Sequence, residues 1–299
     1  MRVLEERDLP IERIEAFASR SRPGAVHFRG VALDVEPATP ERLRDFDVIF
    51  FAGGEDASET FVPALEKHGI VVIDNSATFR MRDGVPLLIP EVNADAVRAE
   101  HRLFPVGNCT AIILCTALAP VRDLAGLRRV HVASYQAVSG AGRGALEAFD
   151  RGEGDVVRNV VPKIGELDAG GESGEERKVR DESRKMLGLP QLELSAVCVR
   201  VPVRTAHSEA VFFETERSTS VADLGAAFER APSIVFHRSG IVTPLDVEGT
   251  DDVHVARLRA TDASGHRFSL FCVGDQLRKG AATNAVQILE LLMEKGLVR

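Results

Sequence analysis

The stretch PVGNCTAIILCTALAP, residues 105–120, places a thiol where its reactivity can be raised. Asn108 is a good N-cap, apolar helix-compatible residues follow it, and Pro120 is expected to limit the far end. Cys109 then opens a helix, where unpaired backbone N–H groups favour negative charge and lower a thiol pKa from about 8.5. From position alone two readings stay open: a covalent nucleophile, or a small residue buried at a helix start. Cys115, deeper in the same apolar run, and Cys198 and Cys272, inside strand-like runs, read as core packing. A thiolate enzyme needs an acid–base partner. His207, just past a strand and far from Cys109 in sequence, is a candidate. Taken alone, a histidine at a strand end is more often a hydrogen-bonded structural group.

The elements that must carry these side chains show in the pattern. In the first third, short apolar runs at Ile14 to Ser19 and Val48 to Ala52 alternate with helical stretches. The second run leads through Gly53-Gly54 into an amphipathic stretch, Ser58 to His68, and then into the run Ile70 to Asp74. Strand, glycine turn, helix, strand is a βαβ unit and predicts a parallel sheet. Ligands bind at the ends of such strands, which puts Gly53, Gly54, Asn75 and Ser76 on the cofactor side.

From Val130 onward the runs 130–134, 195–202, 209–214, 254–260 and 268–273 alternate small or apolar with polar residues. That is the pattern of half-buried strands, expected to be antiparallel with one face on helices. Ser220 with Asp223 marks the start of a helix over Val221 to Arg230, and the charged segment Gly165 to Arg184 is expected to begin as a mobile loop and end as a helix. The tail from Ala281 to Leu292 repeats apolar residues at helical spacing and stops at Gly296.

Composition excludes several classes. A net charge of −8 argues against nucleic acid as the main partner, and no apolar run approaches the roughly 18 residues of a membrane span. Four cysteines without CxxC spacing or a histidine cluster argue against a zinc site and a disulfide framework. A cytoplasmic location without a metal is the expectation.

Six segments, in order over nearly the whole chain, resemble the signature segments of aspartate-β-semialdehyde dehydrogenases. They are DNSATFR at 74–80, IPEVN at 89–93, GNCT at 107–110, SYQAVSGAG at 134–142, CVRVPVRTAHSE at 198–209 and KGAA at 279–282. The resemblance implies NADPH-dependent reduction of β-aspartyl phosphate to aspartate semialdehyde and phosphate, on the route to lysine, threonine and methionine. It implies that Cys109 forms a thioester, that His207 is the general acid–base, and that Gln136 orients the thioester. Arg200 matches the arginine that grips the substrate carboxylate, a role suited to a bidentate guanidinium. Arg80 matches a phosphate-binding arginine, Glu175 the acid that holds the ammonium, and Lys178 a second phosphate ligand, with Asn108 beside the substrate. Read without the resemblance, Glu175 to Arg184 is a solvated charged face.

For the cofactor, the resemblance assigns Gly53, Gly54, Ser139 and Gly140 to the dinucleotide, beside Asn75, which its place at a strand end puts on the same side. It assigns ASRSRPG at 18–24 to the 2′-phosphate of NADP through Ser19, Arg20, Ser21 and Arg22, either arginine making the contact. Gln276 stands where an asparagine is common beside the nicotinamide.

The implied architecture is α/β: a Rossmann-like parallel-sheet cofactor domain over residues 1–108 and 279–299, and an α+β mixed-sheet substrate and dimerisation domain over 109–278 that forms a homodimer. The family opens with a strand, a glycine-rich turn and a helix. No GxGxxG-like run lies near this start, and residues 1–10 resemble the end of that helix. The expectation is a cofactor domain lacking its first strand and glycine-rich loop, with Met1 internal to a longer reading frame. Two other readings remain: a related acyl-phosphate reductase such as the N-acetylglutamyl-phosphate enzyme, and a non-catalytic homologue that has lost cofactor binding.

Overall fold

The computed structural model describes residues 1–18 and 22–298, and the chain divides into two compact units. One comprises Met1–Pro90, Ala94–Val106 and Ala282–Arg299; the other comprises Glu91–Asn93 and Gly107–Ala281.

In the first unit a single turn, α1 (Arg2–Glu5), precedes a small sheet of β1 (Ala16–Ala18), β2 (Arg22–Phe28) and β3 (Val31–Pro37) in the order β1-β3-β2. The sequence pattern gives one run here and does not reveal the β2–β3 hairpin. Its turn residues, Arg29 at φ 48° and Gly30 at φ 78°, are both left-handed, the geometry of the favoured two-residue hairpin. An asparagine in place of Arg29 would have signalled it. After α2 (Pro40–Leu43), the expected βαβ unit appears as β4 (Val48–Phe51), α3 (Glu55–Lys67) and β5 (Val71–Asp74). Together with β6 (Leu103–Pro105), which follows α4 (Pro90–Asn93) along the chain, it makes a parallel sheet in the order β4-β5-β6. β5 is buried along its whole length, as the central strand of a sheet covered on both faces should be. Phe51, Val62, Leu65, Val72 and Leu103 form its core, and α10 (Thr283–Glu294) packs on β5.

The second unit holds a six-stranded sheet. Its members are β7 (Arg129–Gln136), β8 (Glu193–Arg200), β9 (His207–Glu214), β10 (Ile234–Phe236), β11 (Val253–Ala260) and β12 (Arg267–Gly274), in the order β10-β11-β12-β9-β7-β8. The strands were expected to be antiparallel. The four central strands, β11-β12-β9-β7, are antiparallel, but β7–β8 and β10–β11 are parallel. Crossover segments make the difference: α6 (Arg143–Asp150) and α7 (Gly174–Leu187) intervene between β7 and β8, and α9 (Pro244–Val247) between β10 and β11, and such connections bring a strand back parallel.

One face of this sheet carries α5 (Cys109–Ala125), α7 and α8 (Val221–Arg230). On the other face Tyr135, Val197 and Phe212 are exposed. Alternation along each strand sorts the residues, and a one-residue slip would reverse every one of them. α5 does not stop at Pro120 as expected but runs on to Ala125. An interior proline costs about 3 kcal/mol of helix propensity. Ile112, Ile113, Leu114, Leu118 and Val121 are fully buried on this helix, and their packing overrides the proline. α8 has the expected bounds, with Ser220 Oγ accepting from Asp223 N at 3.1 Å and donating to Asp223 Oδ2 at 2.6 Å. No described helix is long and apolar enough to cross a membrane.

Candidate active site

Asn108 caps α5, its Oδ1 accepting from Ala111 N at 3.1 Å, so Cys109 occupies the first helical position. The thiols differ in access. Cys109 is partly exposed, whereas Cys115, Cys198 and Cys272 are buried, and none is in a disulfide. Burial pushes Cys115 and Cys198 up to about 12 and Cys272 well above its ordinary value, with the Glu209 carboxyl adding to the shift in each. These three stay protonated and inert. Gly107, just before the cap, is closely packed: a Cβ there would stand 3.1 Å from the Met186 sulfur and 3.2 Å from Ile112 Cγ1.

Asn108 is held at both ends by α7. Its backbone N donates to Glu182 Oε2 at 2.5 Å and its Nδ2 donates to Glu175 Oε1 at 2.9 Å. Gln136, buried at the end of β7, donates from Nε2 to the same Glu175 oxygen at 3.1 Å and to Ser134 Oγ at 3.2 Å. α7 begins with a capping box between Ser173 and Glu176, and Glu176 also accepts from Cys198 N at 3.0 Å. Glu176 is therefore engaged in structure, and Glu175 is the acid that meets Asn108 and Gln136. The run that reads as a solvated face is nothing of the kind at these positions: Glu176 and Glu182 are buried and Glu175 and Lys178 half-buried. Sequence reasoning gives Glu182 no role. Its signal was spacing, since residues 175, 182 and 186 recur at two-turn and one-turn intervals along one side of a helix.

β9 opens with His207, fully buried, its Nδ1 accepting from Ala137 N at 3.1 Å. A nitrogen that accepts carries no proton, so the proton lies on Nε2, which has no hydrogen-bond partner among the described residues. Burial, reinforced by the Arg200 charge, holds His207 down to about 3, so the ring is neutral at neutral pH. Arg200, at the end of β8, donates from Nη1 to Ala137 O at 2.6 Å. Burial lowers the Arg200 guanidinium, and the charges of Glu175 and Cys109 oppose that shift. Gly140 is the floor between the two: a Cβ there would lie 3.0 Å from His207 Cε1 and 3.1 Å from both His207 Nε2 and Arg200 Nη1. A buried donor with no partner, beside an arginine and bare backbone, is suited to stabilising charge on a substrate oxygen.

Ser139 and Gln276 belong to the same unit. Gln276 donates from Nε2 to Ser139 Oγ, and its Oε1 accepts from Ala206 N at 2.8 Å. Both ends of the amide are thus engaged, and Gln276 ties the Ser139 segment to Ala206. Two signature segments with no expected role are joined here. Lys279, fully buried, donates to both carboxylate oxygens of Glu91 at 2.7 and 2.8 Å.

In the first unit, Gly53 and Gly54 form the turn from β4 into α3, with Gly54 at φ 89° capping the helix without a side-chain hydrogen bond. At the end of β5 the buried Asp74 accepts from Ser58 Oγ at 2.9 Å and from Ser76 N and Oγ at 2.9 and 2.8 Å. That bonding leaves Asn75 exposed at the strand end, where its carbonyl accepts from Arg80 Nη2 at 3.2 Å. Both turns lie at the carboxyl ends of parallel strands, where dinucleotides bind. Glu55 and Asp56 fill the first turn of α3, so this helix start suits a ribose hydroxyl better than a phosphate. Ser19, Arg20 and Ser21 lie outside the described residues, as does the side chain of Arg22.

The semialdehyde dehydrogenase dimerisation domain family matches residues 118–279, and the semialdehyde dehydrogenase NAD binding domain family matches residues 1–100. The aspartate-semialdehyde dehydrogenase of Aquifex aeolicus (strain VF5) is 35% identical over 322 aligned positions, covering all of this chain and 95% of its own. Among solved structures, aspartate semialdehyde dehydrogenase II from Vibrio cholerae complexed with ASA superimposes with a TM-score of 0.93 at 31% identity, covering 98% of this chain and 93% of its own. The Candida albicans aspartate semialdehyde dehydrogenase with NADP has a TM-score of 0.80 at 20% identity, covering 99% and 95%, and shares the fold.

Proposed function

Because the chain belongs to the aspartate-semialdehyde dehydrogenase family, we propose that it reduces β-aspartyl phosphate to aspartate semialdehyde and phosphate with NADPH, on the route to lysine, threonine and methionine. The observation that carries the residue roles is the contrast among polar groups of the second unit. Cys109 is the accessible thiol at a helix start, and His207 Nε2 is a buried donor without a partner among the described residues. The Cys109 thiolate attacks the acyl carbon, the bond from carbon to phosphate oxygen breaks, and phosphate leaves a thioester on the sulfur. NADPH, when bound, supplies the hydride that reduces this thioester. His207 Nε2–H donates a hydrogen bond to the oxygen as negative charge develops there, and return of that oxygen to a carbonyl breaks the carbon–sulfur bond, releasing the aldehyde and restoring the Cys109 thiolate. The geometry favours a neutral donor over an imidazolium, because a proton on Nδ1 would face the Ala137 N–H.

Gln136 and Asn108, both tied to Glu175, orient the thioester carbonyl, and Glu175 has a carboxylate for the substrate ammonium. Arg200 binds the α-carboxylate with the guanidinium edge not used on Ala137, and Arg80 and Lys178 take the phosphate. The groups present fit NADP: Gly53, Gly54 and Asn75 offer exposed backbone at strand ends, and Gly140 leaves bare backbone beside His207. Ser139, positioned by Gln276, belongs to the nicotinamide side, and Ser19 to Arg22 to the 2′-phosphate. Residues 1–108 and 279–299 serve the cofactor and 109–278 the substrate. The chain carries a dimerisation domain, and the exposed Tyr135, Val197 and Phe212 on the open sheet face support a homodimer formed there. Four cysteines, none in a disulfide, suit a reducing cytoplasm.

The test is phosphate-dependent reduction of NADP by aspartate semialdehyde, followed as NADPH absorbance. Activity is expected in the wild-type chain and absent in Cys109→Ser. Turnover that survives in Cys109→Ser refutes the mechanism.

A further inference from the structure

Lys279 and Gly280 belong to one π-helical turn, Arg278–Ala282. Such wide turns interrupt helical regularity and concentrate at functional sites. This one lies against the start of α5. A Cβ added to Gly280 would stand 2.8 Å from the Cβ of Cys109, 3.2 Å from its Cα and 3.3 Å from its carbonyl oxygen. Gly280 is not among the glycines with left-handed φ, so its missing side chain serves this approach and not the backbone angle.

The turn is anchored on the residue beside that contact. Lys279 Nζ, fully buried, donates to both oxygens of Glu91, and Ser233 Oγ donates to the same carboxylate. Glu91 reaches this unit on a three-residue excursion of the chain, Glu91–Asn93. Further ties fix the turn from its other residues: Arg278 Nε donates to Asp251 Oδ1 at 2.9 Å, and Gly280 N donates to Asp275 O at 3.2 Å. A buried ion pair is a poor source of stability, since desolvation of both charges offsets their attraction and an apolar pair of equal volume often does as well. What two parallel charge-assisted hydrogen bonds add is direction.

We propose that the Glu91–Lys279 pair is a positioning anchor for the nucleophile: it holds the π-turn so that Gly280 fixes the backbone of Cys109 at the first turn of α5. This rests on Cys109 being the nucleophile, and the two ideas fail separately. Neither Glu91 nor Lys279 touches the reacting atoms; both act through Gly280 on where the sulfur points.

Three variants of the full chain test it: Lys279→Met, the double variant Glu91→Gln/Lys279→Met, which leaves no buried charge behind, and Gly280→Ala. Active sites are titrated with iodoacetamide, to which the other three thiols are closed by burial. In each variant kcat per titrated thiol should fall about tenfold or more, as expected when a reacting group is displaced by a fraction of an ångström, with KM for aspartate semialdehyde nearly unchanged. The pH midpoint for alkylation of Cys109 should also move. A merely structural pair would lower the melting temperature and the yield of titratable enzyme while kcat per titrated thiol and the alkylation profile stayed those of the wild type. That result overturns the proposal. If Lys279→Met does not fold, the double variant decides: wild-type turnover and alkylation there overturn the anchor whatever Gly280→Ala shows. Activity retained in Cys109→Ser would instead overturn the nucleophile itself.

Discussion

Glu209 is two residues beyond His207 on β9, opposite Ser134 and Cys272 in the sheet, and fully buried. One carboxyl oxygen accepts from Cys272 Sγ at 3.4 Å and the other has no partner among the described residues. Burial raises its pKa from an ordinary 4.5 to about 8. The folded protein therefore holds a proton there that the unfolded chain gives up above pH 4.5, and stability is lost as pH rises from 4.5 to 8. Each pH unit crossed in that window costs about 1.4 kcal/mol, so Glu209 weakens the fold by about 3 kcal/mol at pH 6.5 and by about 2 kcal/mol more at pH 8. Glu209→Gln keeps the volume and an acceptor for Cys272 and removes the titration. Urea unfolding followed by circular dichroism at pH 6.5 and 8 reads the result directly. His207 is neutral in the fold and half-protonated in the unfolded chain at pH 6.5, but it is common to both proteins, so the difference in pH slope is that of Glu209. The wild type should lose about 2 kcal/mol between the two pH values; Glu209→Gln should lose almost none and be more stable at both. Parallel losses in the two proteins would show that Glu209 is already ionised in the fold and would refute the reasoning.

On the acid side, His207 is held down to about 3, so the unfolded chain alone binds its proton as pH falls below 6.5. The stability of His207→Asn relative to the wild type should therefore rise by about 1.4 kcal/mol per pH unit below 6.5, measured by the same urea curves. Gly140→Ala drives a methyl into His207 and Arg200, and kcat should fall about 10- to 100-fold with little change in melting temperature; an unaffected kcat would mean those groups do not meet the substrate. Ser173→Ala removes the α7 cap and should cost about 1 kcal/mol in urea unfolding, more if Glu176 loses its hold on Cys198 N.

What the amino-acid sequence determines by itself is local or periodic. The helix start at Asn108, the cap at Ser220, the βαβ unit from Val48 to Asp74 and the strand runs of the mixed sheet depend on neighbours a few residues apart. Chain order alone carries that information. Cys109 could be singled out because a cap and a thiol are adjacent in sequence. The segment IPEVN could be quoted but not explained, since its glutamate acts on a lysine 188 residues away.

Tertiary structure decided the rest. Pro120 should end a helix by its own preference, and only the packing of α5 between sheet and helices carries the helix past it to Ala125. Strand direction in β7–β8 depended on the path of the intervening chain, which periodicity does not record. Burial did most to separate like residues. It left Cys109 accessible while making three other thiols inert, turned Glu175 toward Asn108 and Gln136 while Glu176 capped its own helix, and left His207 neutral with its proton on Nε2. A residue type sets what a side chain can do; which state it occupies depends on the groups brought against it from distant parts of the chain.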